Sequence, residues 1–358
     1  MENGSRFMRR ALALAARGAG HTSPNPMVGA VVVDGGRVIG AGYHHAVGSP
    51  HAEVEALREA GEAARGASLY VTLEPCAHQG RTPPCTQAII AAGIARVVAA
   101  TRDPDPRVDG RGLASLRAAG IQVEEGLLAP EAERLNEAFL TRVRDGRPFV
   151  LLKLALTLDG RVAAAGRRYL TDEPALRFVH RLRARFDAVL VGVGTVLADD
   201  PGLTVRAVGG RDPSRVILDT DARTPANSQV VQRPDPERTI IFVGEDADPA
   251  RTGPLSAAGV DVVRMPRAAD GHVDLAAALR CLAERGVNSV LSEGGPGVAT
   301  ALLQSHLAHR LLMILTPLVG GVGPRAFGEL DPLQDLGRLT IRRLGRDLAI
   351  SADLERAG

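Results

Sequence analysis

Residues 51 to 55 read HAEVE, and residues 75 to 85 read PCAHQGRTPPC. The chain has three cysteines, and two of them stand here, each directly after a proline and downstream of a histidine with an acid two positions on. Catalytic zinc takes three protein ligands and leaves its fourth position to water. His51, Cys76 and Cys85 supply that number, and mixed thiolate and imidazole ligation favours zinc over other divalent metals. Glu53, at the start of a predicted helix, is then placed as a proton shuttle and not as a ligand. A cysteine after a proline suits a helix N-terminus, where the positive end of the dipole stabilises thiolate. Taken alone, two such cysteines also fit small buried apolar side chains with no metal.

The second half carries different chemistry. Lys153 is the only lysine among 43 Lys and Arg residues. In a chain so biased toward arginine, one lysine inside the apolar run FVLLKLAL points to a need for its compact, titratable ammonium. The alternative is chance survival, with the amine reaching out to solvent. GVGTVLADDPGLTVR reads as a strand, a glycine turn and a polar loop in which Thr195 and Asp199 could bond a ligand. NSVLSEGGPGVATALL runs from a strand through Gly294, Gly295 and Gly297 into a helix whose first amides form an anion site. The spacing is not G-x-G-x-x-G, so the dinucleotide fold of that fingerprint is not implied.

Elements must hold these groups, and at 358 residues the chain exceeds one ordinary core, so two domains are expected. Hydrophobic content of 45% with 23% charged residues marks a globular protein, and 3% aromatics without tryptophan makes the core aliphatic. A formal charge of +2 leaves no excess for wrapping a nucleic-acid backbone. The first residues, MENGSRFMRRALALAARGAGHTS, read as an amphipathic helix rather than a signal peptide, and no run is apolar enough to span a bilayer. Three cysteines make no disulfide framework and fit a reducing cytoplasm.

Strand and helix patterns alternate. VGAVVVDGGRVIGAGYH is a hairpin around Asp34, Gly35 and Gly36, followed by helix over 52–64, strand SLYVTL, helix PPCTQAIIAAG, strand ARVVAAT, helix GLASLRAAG and strand IQVEE. A helix over 130–143 ends at RDGRP, which places the domain boundary near 145–148 and the domains at 1–146 and 147–358. Beyond it lie strands FVLLKLAL, DAVLVGV, RVILD, RTIIFVG, NSVLSEG and HRLLMILTP, with helices EPALRFVHRLRARF and DLAAALRCLAERG. RPDPERT and residues 244–253 read as surface loops. Cys281, inside the second of those helices, is expected in the core. Both halves are α/β.

The order H-x-E then P-C is that of the zinc deaminases, in which P-C-x-x-C is the usual second motif; here eight residues, AHQGRTPP, separate the cysteines. With that insert, TSPNPMVGAVVV, GYHHAVGSPHAEVEAL, YVTLEPCAHQGRTPPC and DPDPRVDGRG closely resemble the pyrimidine deaminases of riboflavin biosynthesis from Thr22 to Gly112. The resemblance implies a cytidine-deaminase-like three-layer α/β/α domain in which His51, Cys76 and Cys85 bind Zn2+. It implies that Glu53 carries protons to the leaving ammonia, and that Asn25, His44 and Arg81 hold the base and its ribose phosphate.

KLALTLDGRVA, LRARFDAVLVGVGTVLADDPGLTVR and EGGPGVATALL resemble the reductase half of the same bifunctional family, with a fold like that of dihydrofolate reductase. This implies NADPH as hydride donor to the ribose anomeric carbon, turning ribosylamino into ribitylamino, with Lys153 as the catalytic ammonium. It also implies that Ala155, Tyr169, Thr195, Asp199, Thr220, Gly295, Pro296, Gly297 and Val298 touch NADPH. The resemblance implies as well that Arg167, Arg183, Leu203, Arg206 and Glu293 contact substrate, the arginines Arg183 and Arg206 pairing with its phosphate. Asp105 stands where the family usually has asparagine, and GRRYLTDEP is slightly shorter than the family loop, with Arg167 and Tyr169 where serine and tryptophan are usual.

The expected function is therefore bifunctional. A zinc-dependent hydrolytic deamination of 2,5-diamino-6-(5-phosphoribosylamino)pyrimidin-4-one is followed by NADPH-dependent reduction of its ribose to the ribityl chain. The expected partner is that small molecule, without nucleic acid or membrane, in a cytoplasmic homo-oligomer of two or four chains. A deaminase with a merely ligand-binding or dimerising second domain is the alternative. A nucleic-acid deaminase would need a basic groove and stacking aromatics, which seven Phe, three Tyr and near-neutral charge do not supply. A structural zinc clip would need a fourth ligand, for which His78 or His44 is at hand.

Overall fold

The computed structural model describes residues 2–77, 84–106, 108–163, 169–320, 323–330 and 335–354; Arg81, Arg167 and His78 lie outside them. The chain divides into two compact units, Met1–Gly146 and Arg147–Gly358.

In the first unit the elements are α1 (Glu2–Ala15), β1 (Gly29–Asp34), β2 (Arg37–Tyr43), α2 (Ala52–Ala60), β3 (Ser68–Val71), α3 (Cys85–Ala91), β4 (Arg96–Ala99), α4 (Arg111–Ala118), β5 (Gln122–Glu125), α5 (Ala129–Leu135) and α6 (Glu137–Asp145). The sheet runs β2-β1-β3-β4-β5, antiparallel about β1 and parallel from β3 to β5. Successive strand residues point to opposite faces. Ala30 and Val32 therefore pack with Ala56 of α2, Ile89 of α3 and Leu116 of α4, while Val31 and Val33 pack with Phe7, Met8 and Ala11 of α1. The result is three layers, α/β/α, as expected. Helix α2 is pressed onto β2 at Gly40 and Gly42, where a Cβ would come within 2.1 Å of the Ala56 carbonyl oxygen and 2.5 Å of that of Ala52. Only glycine allows that approach, and it fixes the helix that carries the HAEVE motif.

One helix differs from the sequence pattern. The stretch 130–143 is two helices, α5 and α6, interrupted at Asn136. The side chain of Asn136 pairs with the backbone of Met27 in both directions, accepting from its N–H at 2.8 Å and donating to its carbonyl at 2.9 Å. A tertiary contact thus interrupts a locally continuous pattern.

In the second unit the elements are β6 (Phe149–Thr157), α7 (Glu173–Arg185), β7 (Ala188–Gly192), α8 (Val193–Asp199), β8 (Ser214–Leu218), β9 (Thr239–Gly244), α9 (Pro249–Ala257), β10 (Asp261–Met265), α10 (Leu275–Glu284), β11 (Ser289–Ser292), α11 (Pro296–Gln304), β12 (Arg310–Thr316), β13 (Leu336–Leu344) and β14 (Asp347–Leu354). The sheet order is β10-β9-β8-β7-β11-β6-β12-β14-β13, parallel from β10 to β12 and closed by the antiparallel β14 and β13. Val150, Leu152, Leu154 and Leu156 of β6 enter a core with Leu279 and Leu282 of α10 and Leu302 of α11. Lys153 and Ala155 alternate with them and so face the other side. Cys281 packs against this core.

Three expectations change here. Residues 193–199 are helix α8 rather than a turn and polar loop, and residues 249–253 of the expected loop belong to helix α9, which runs on to Ala257. Asp248 caps α9 by accepting the Ala250 N–H at 2.8 Å, and Pro249 occupies its first turn, so the start signal was present but masked by Gly253 and Pro254. Strands β10, β13 and β14 were not expected: arginines break the apolar alternation of β10 and β13, and Asp347, Ser351 and Asp353 break that of β14. Among the described residues no helix is long and apolar enough to cross a membrane.

Candidate functional site

His51 is the N-cap residue of α2 and Cys85 opens α3 after Pro84. Cys76 lies in the extended segment after β3 and not in a helix, contrary to the pattern read from its proline. Its sulfur nevertheless reaches the amide end of α3, accepting the Cys85 N–H at 3.3 Å. His51 Nδ1 stands 3.0 Å from Cys85 Sγ and 3.6 Å from Cys76 Sγ, and the three donor atoms lie within 4.8 Å of one another. Zinc with bonds of ~2.0–2.3 Å fits among donors so spaced.

The two thiols share a proton unequally. The hydrogen bond from Cys85 holds Cys76 down at about 4, whereas the Cys76 thiolate and then burial push Cys85 up. His51 is raised chiefly by Cys76, the more distant sulfur, because the negative charge sits there. Glu53 is buried, its Oε2 has no hydrogen-bond partner among the described residues, and burial pushes its carboxyl up to about 7. An orphaned carboxyl oxygen beside a thiolate, a thiol and an imidazole fits a site completed by a cation and a proton-bearing ligand.

Asn25 and His44 adjoin this cluster. Asn25 Nδ2 donates to His44 Nε2 at 3.1 Å, and His44 Nδ1 donates to the Pro50 carbonyl at 3.2 Å, which fixes the tautomer. Burial lowers the His44 pKa, and its ring meets His51 edge-on at 5.6 Å. Both ring nitrogens are thus engaged, so His44 is no fourth ligand in this arrangement. Asp105 is a turn residue: its N–H donates to Asp103 Oδ1 at 3.0 Å and its carbonyl accepts from Val108 at 2.7 Å.

Glu74, which the sequence reading passed over, anchors the segment bearing Cys76. Its buried carboxylate accepts the N–H groups of Gly110, Gly112, Leu113 and Asp103 at 2.9, 2.9, 3.2 and 3.3 Å. It thereby satisfies the first amides of α4 and ties DPDPRVDGRG to the ligand strand. Its place in VTLEPC, two residues before Cys76, was the available signal.

In the second unit, parallel register sets Leu291 against Leu151 and Ser292 against Leu152, so Glu293 falls beside Lys153. Lys153 Nζ is 3.5 Å from Glu293 Oε2. Arg183, from α7, grips the same carboxylate through Nε at 2.6 Å and Nη2 at 3.1 Å, and donates from Nη1 to the Thr204 carbonyl at 3.0 Å. Burial alone would raise Glu293, but Arg183 and then Lys153 outweigh it and hold the carboxyl at about 2. Leu203 is buried with φ +50°, and Arg206 Nη1 lies 3.4 Å from Thr204 Oγ1. Lys153, Arg183, Leu203, Arg206 and Glu293 are therefore gathered, and Tyr169, about half exposed, lies near enough to act on the Arg183 charge.

The glycine turn is a cradle. Val298 of α11 packs where a Cβ on Gly192 or Gly294 would stand, at 2.9 and 2.7 Å, which seats the helix start against the ends of β7 and β11. A Cβ on Gly194 or Gly297 would meet no described atom within 4 Å, and one on Gly295 would lie 3.8 Å from Thr195 Oγ1. This open backbone beside Thr195 and Pro296 fits close approach of a phosphate-bearing cofactor. Asp199 ends α8, exposed; Ala155 lies half-buried on β6. Thr220 follows two residues after Leu218, the β8 residue paired with Gly192, and its Oγ1 accepts from Val273 N–H at 3.0 Å.

Fold and site together define a zinc-type deaminase unit joined to a reductase unit. The family model for the cytidine and deoxycytidylate deaminase zinc-binding region matches residues 1–101, and that for the RibD C-terminal domain matches residues 148–350. Riboflavin biosynthesis protein RibD of Escherichia coli is 43% identical over 365 residues, covering 96% of this chain and 97% of that protein. The solved Acinetobacter baumannii RibD superposes with a TM-score of 0.89 at 36% identity over 99% of both chains. A Thermotoga maritima diaminohydroxyphosphoribosylaminopyrimidine deaminase/5-amino-6-(5-phosphoribosylamino)uracil reductase gives 0.86 at 37% identity, also over 99% of both. The chain belongs to the RibD family of bifunctional riboflavin-biosynthesis enzymes.

Proposed function

We propose that the two steps of this bifunctional enzyme are divided between residues 1–146 and 147–358, and that the residues gathered in each unit carry them. The deaminase step hydrolyses the amino group of 2,5-diamino-6-(5-phosphoribosylamino)pyrimidin-4-one, and the reductase step converts the ribose of the product to ribityl. In the first, His51, Cys76 and Cys85 hold zinc, which when bound lowers the pKa of water toward 7 and supplies the nucleophile at neutral pH. Glu53, buried and without another partner on Oε2 among the described residues, takes the proton from the attacking water and returns it to the departing amine. Asn25 and His44 orient the base, and Arg81 reaches its phosphate.

In the second, NADPH supplies hydride to the ribose anomeric carbon. Lys153, beside Glu293, donates a proton toward the ring oxygen as the sugar opens. Arg183 and Arg206 take the substrate phosphate, Leu203 and Glu293 line the remainder, and Arg167, outside the described residues, is a further substrate contact by family likeness. Ala155, Tyr169, Thr195, Asp199, Thr220 and the turn Gly295, Pro296, Gly297 and Val298 hold the cofactor. The Lys153, Glu293 and Arg183 cluster carries this reading, because a buried cation pair on one carboxylate has a cost that packing alone does not require. A split assay of ammonia release and NADPH oxidation tests it: ammonia without NADPH consumption, even from deaminated substrate, would leave the second unit a binding module.

The same proposal extends to assembly and compartment. Leu339, Ile341 and Leu348 are exposed on the hairpin of β13 and β14, an apolar face suited to a second copy of the chain. Sedimentation of wild type and Ile341→Glu tests this, a monomeric wild type counting against it. Three free cysteines accord with the cytoplasm; thiols found oxidised in protein isolated from cells under alkylation would count against it.

A further inference from the structure

A histidine outside every role given so far holds the substrate loop of the second unit. His180 lies on α7 three residues before Arg183, is 2% exposed, and accepts the Arg206 N–H on Nδ1 at 3.0 Å. The neighbouring peptides are held as well: Val205 N–H donates to Asp212 Oδ1 at 2.7 Å, and the Thr204 carbonyl accepts from Arg183 at 3.0 Å. Three side chains thus fix three consecutive residues. Leu203, immediately upstream, has φ +50°, a costly conformation for leucine that persists only where surroundings impose it.

Only an unprotonated Nδ1 can accept an N–H. Burial, Arg183 and Arg206 lower the His180 pKa against the opposing pull of Glu293, so the ring adds no charge between the two guanidiniums. We propose that His180 is a positioning residue that sets Arg206 against the substrate phosphate. This rests on the reading that Arg183 and Arg206 take that phosphate. The geometry is specific, since the bond fixes the Arg206 peptide itself and not its mobile side chain.

The test uses the full-length, zinc-loaded enzyme with deaminated substrate, both phosphorylated and enzymatically dephosphorylated, and NADPH. His180→Leu is expected to raise KM for the phosphorylated compound about tenfold, the scale of one lost hydrogen bond. KM for NADPH, KM for the dephosphorylated compound and ammonia release should stay unchanged, the last reporting intact protein. His180→Asn, which can offer a carbonyl oxygen near the Nδ1 position, should recover most of the loss; His180→Ala replaces the leucine variant if that fails to fold. Equal losses on both compounds, or an equal rise in KM for NADPH, overturn the proposal. Arg206→Ala separates the two readings. If it leaves the preference for phosphate intact, the phosphate reading falls and takes the His180 proposal with it. If it abolishes that preference while His180→Leu keeps it, the His180 proposal alone falls.

Discussion

Glu74 accepts the backbone N–H of Gly112 at 2.9 Å, and a Cβ on Gly112 would stand 1.9 Å from the carbonyl oxygen of Pro75, next to Cys76. The start of α4 therefore bears directly on the segment that carries Cys76. Gly112→Ala has no room to relax except by moving backbone, and is expected to cost about 2–3 kcal/mol. The displaced Cys76 should lower bound zinc in the purified protein to a small fraction of an equivalent. Elemental analysis and thermal melting check both; full zinc occupancy with unchanged melting would show that the loop does not position the ligand.

Glu53→Gln keeps the size of the buried side chain and removes its proton-carrying ability. Ammonia release should fall by about 10²–10⁴-fold, the range of general acid–base catalysis, while zinc content stays as in wild type. NADPH oxidation on deaminated substrate should not change. Retained ammonia release would remove Glu53 from the mechanism.

How much of this was legible beforehand depends on the length scale of each signal. The strands of the first sheet and the hairpin at Gly35 were readable because alternation and turn chemistry are local. The interruption at Asn136 was not, since its cause, Met27, is distant in sequence. Strand β13 escaped because an edge strand carries arginine and polar residues on an open face, and β14, paired on both sides, because Asp347, Ser351 and Asp353 interrupt its apolar residues. At the sites, ligand-type residues stood out by their chemistry. Glu74 and His180 did not, because their role is to accept backbone N–H groups, and nothing in a lone sequence says which amide lacks a partner.

Removing the metal should separate the two halves without a kinetic assay. With zinc held, thiol titration is expected to find Cys281 reactive and Cys76 and Cys85 protected. After chelation, the depressed pKa of Cys76 keeps it as thiolate at neutral pH, so it should react ahead of Cys85. Mass mapping of alkylated peptides reads the order. Equal labelling of Cys76 and Cys85 before chelation would argue against both as ligands.

Lys153→Arg is not a conservative change at this position. The ammonium fits beside Glu293 on a β-strand, and a planar guanidinium would compete with Arg183 for the same two oxygens. NADPH oxidation is expected to drop about 10²-fold or more, and Lys153→Ala at least as far. Ammonia release should persist in both. Wild-type reductase rates in Lys153→Arg would mean that charge alone, without a transferable proton, is what the position supplies.

Glu293 makes a prediction in acid. Its carboxyl is held at about 2, below the usual 4.5, so its pairing with Arg183 and Lys153 stabilises the fold fully above about pH 4.5. That contribution is lost as pH falls through about 2. At 1.36 kcal/mol per unit it amounts to about 3 kcal/mol. Glu293→Gln has no such titration, and it strands two cations near neutral pH, where removing one partner of a buried pair costs about 3–5 kcal/mol. The stability gap between wild type and Glu293→Gln should therefore be widest above pH 4.5 and close by about 3 kcal/mol toward pH 2, other carboxylates cancelling between the two proteins. Urea unfolding read by brief pepsin digestion between pH 2 and 5, following fragments from residues 147–358, measures that gap. A gap independent of pH would mean that the carboxylate is not the counterion of Lys153 and Arg183 in solution.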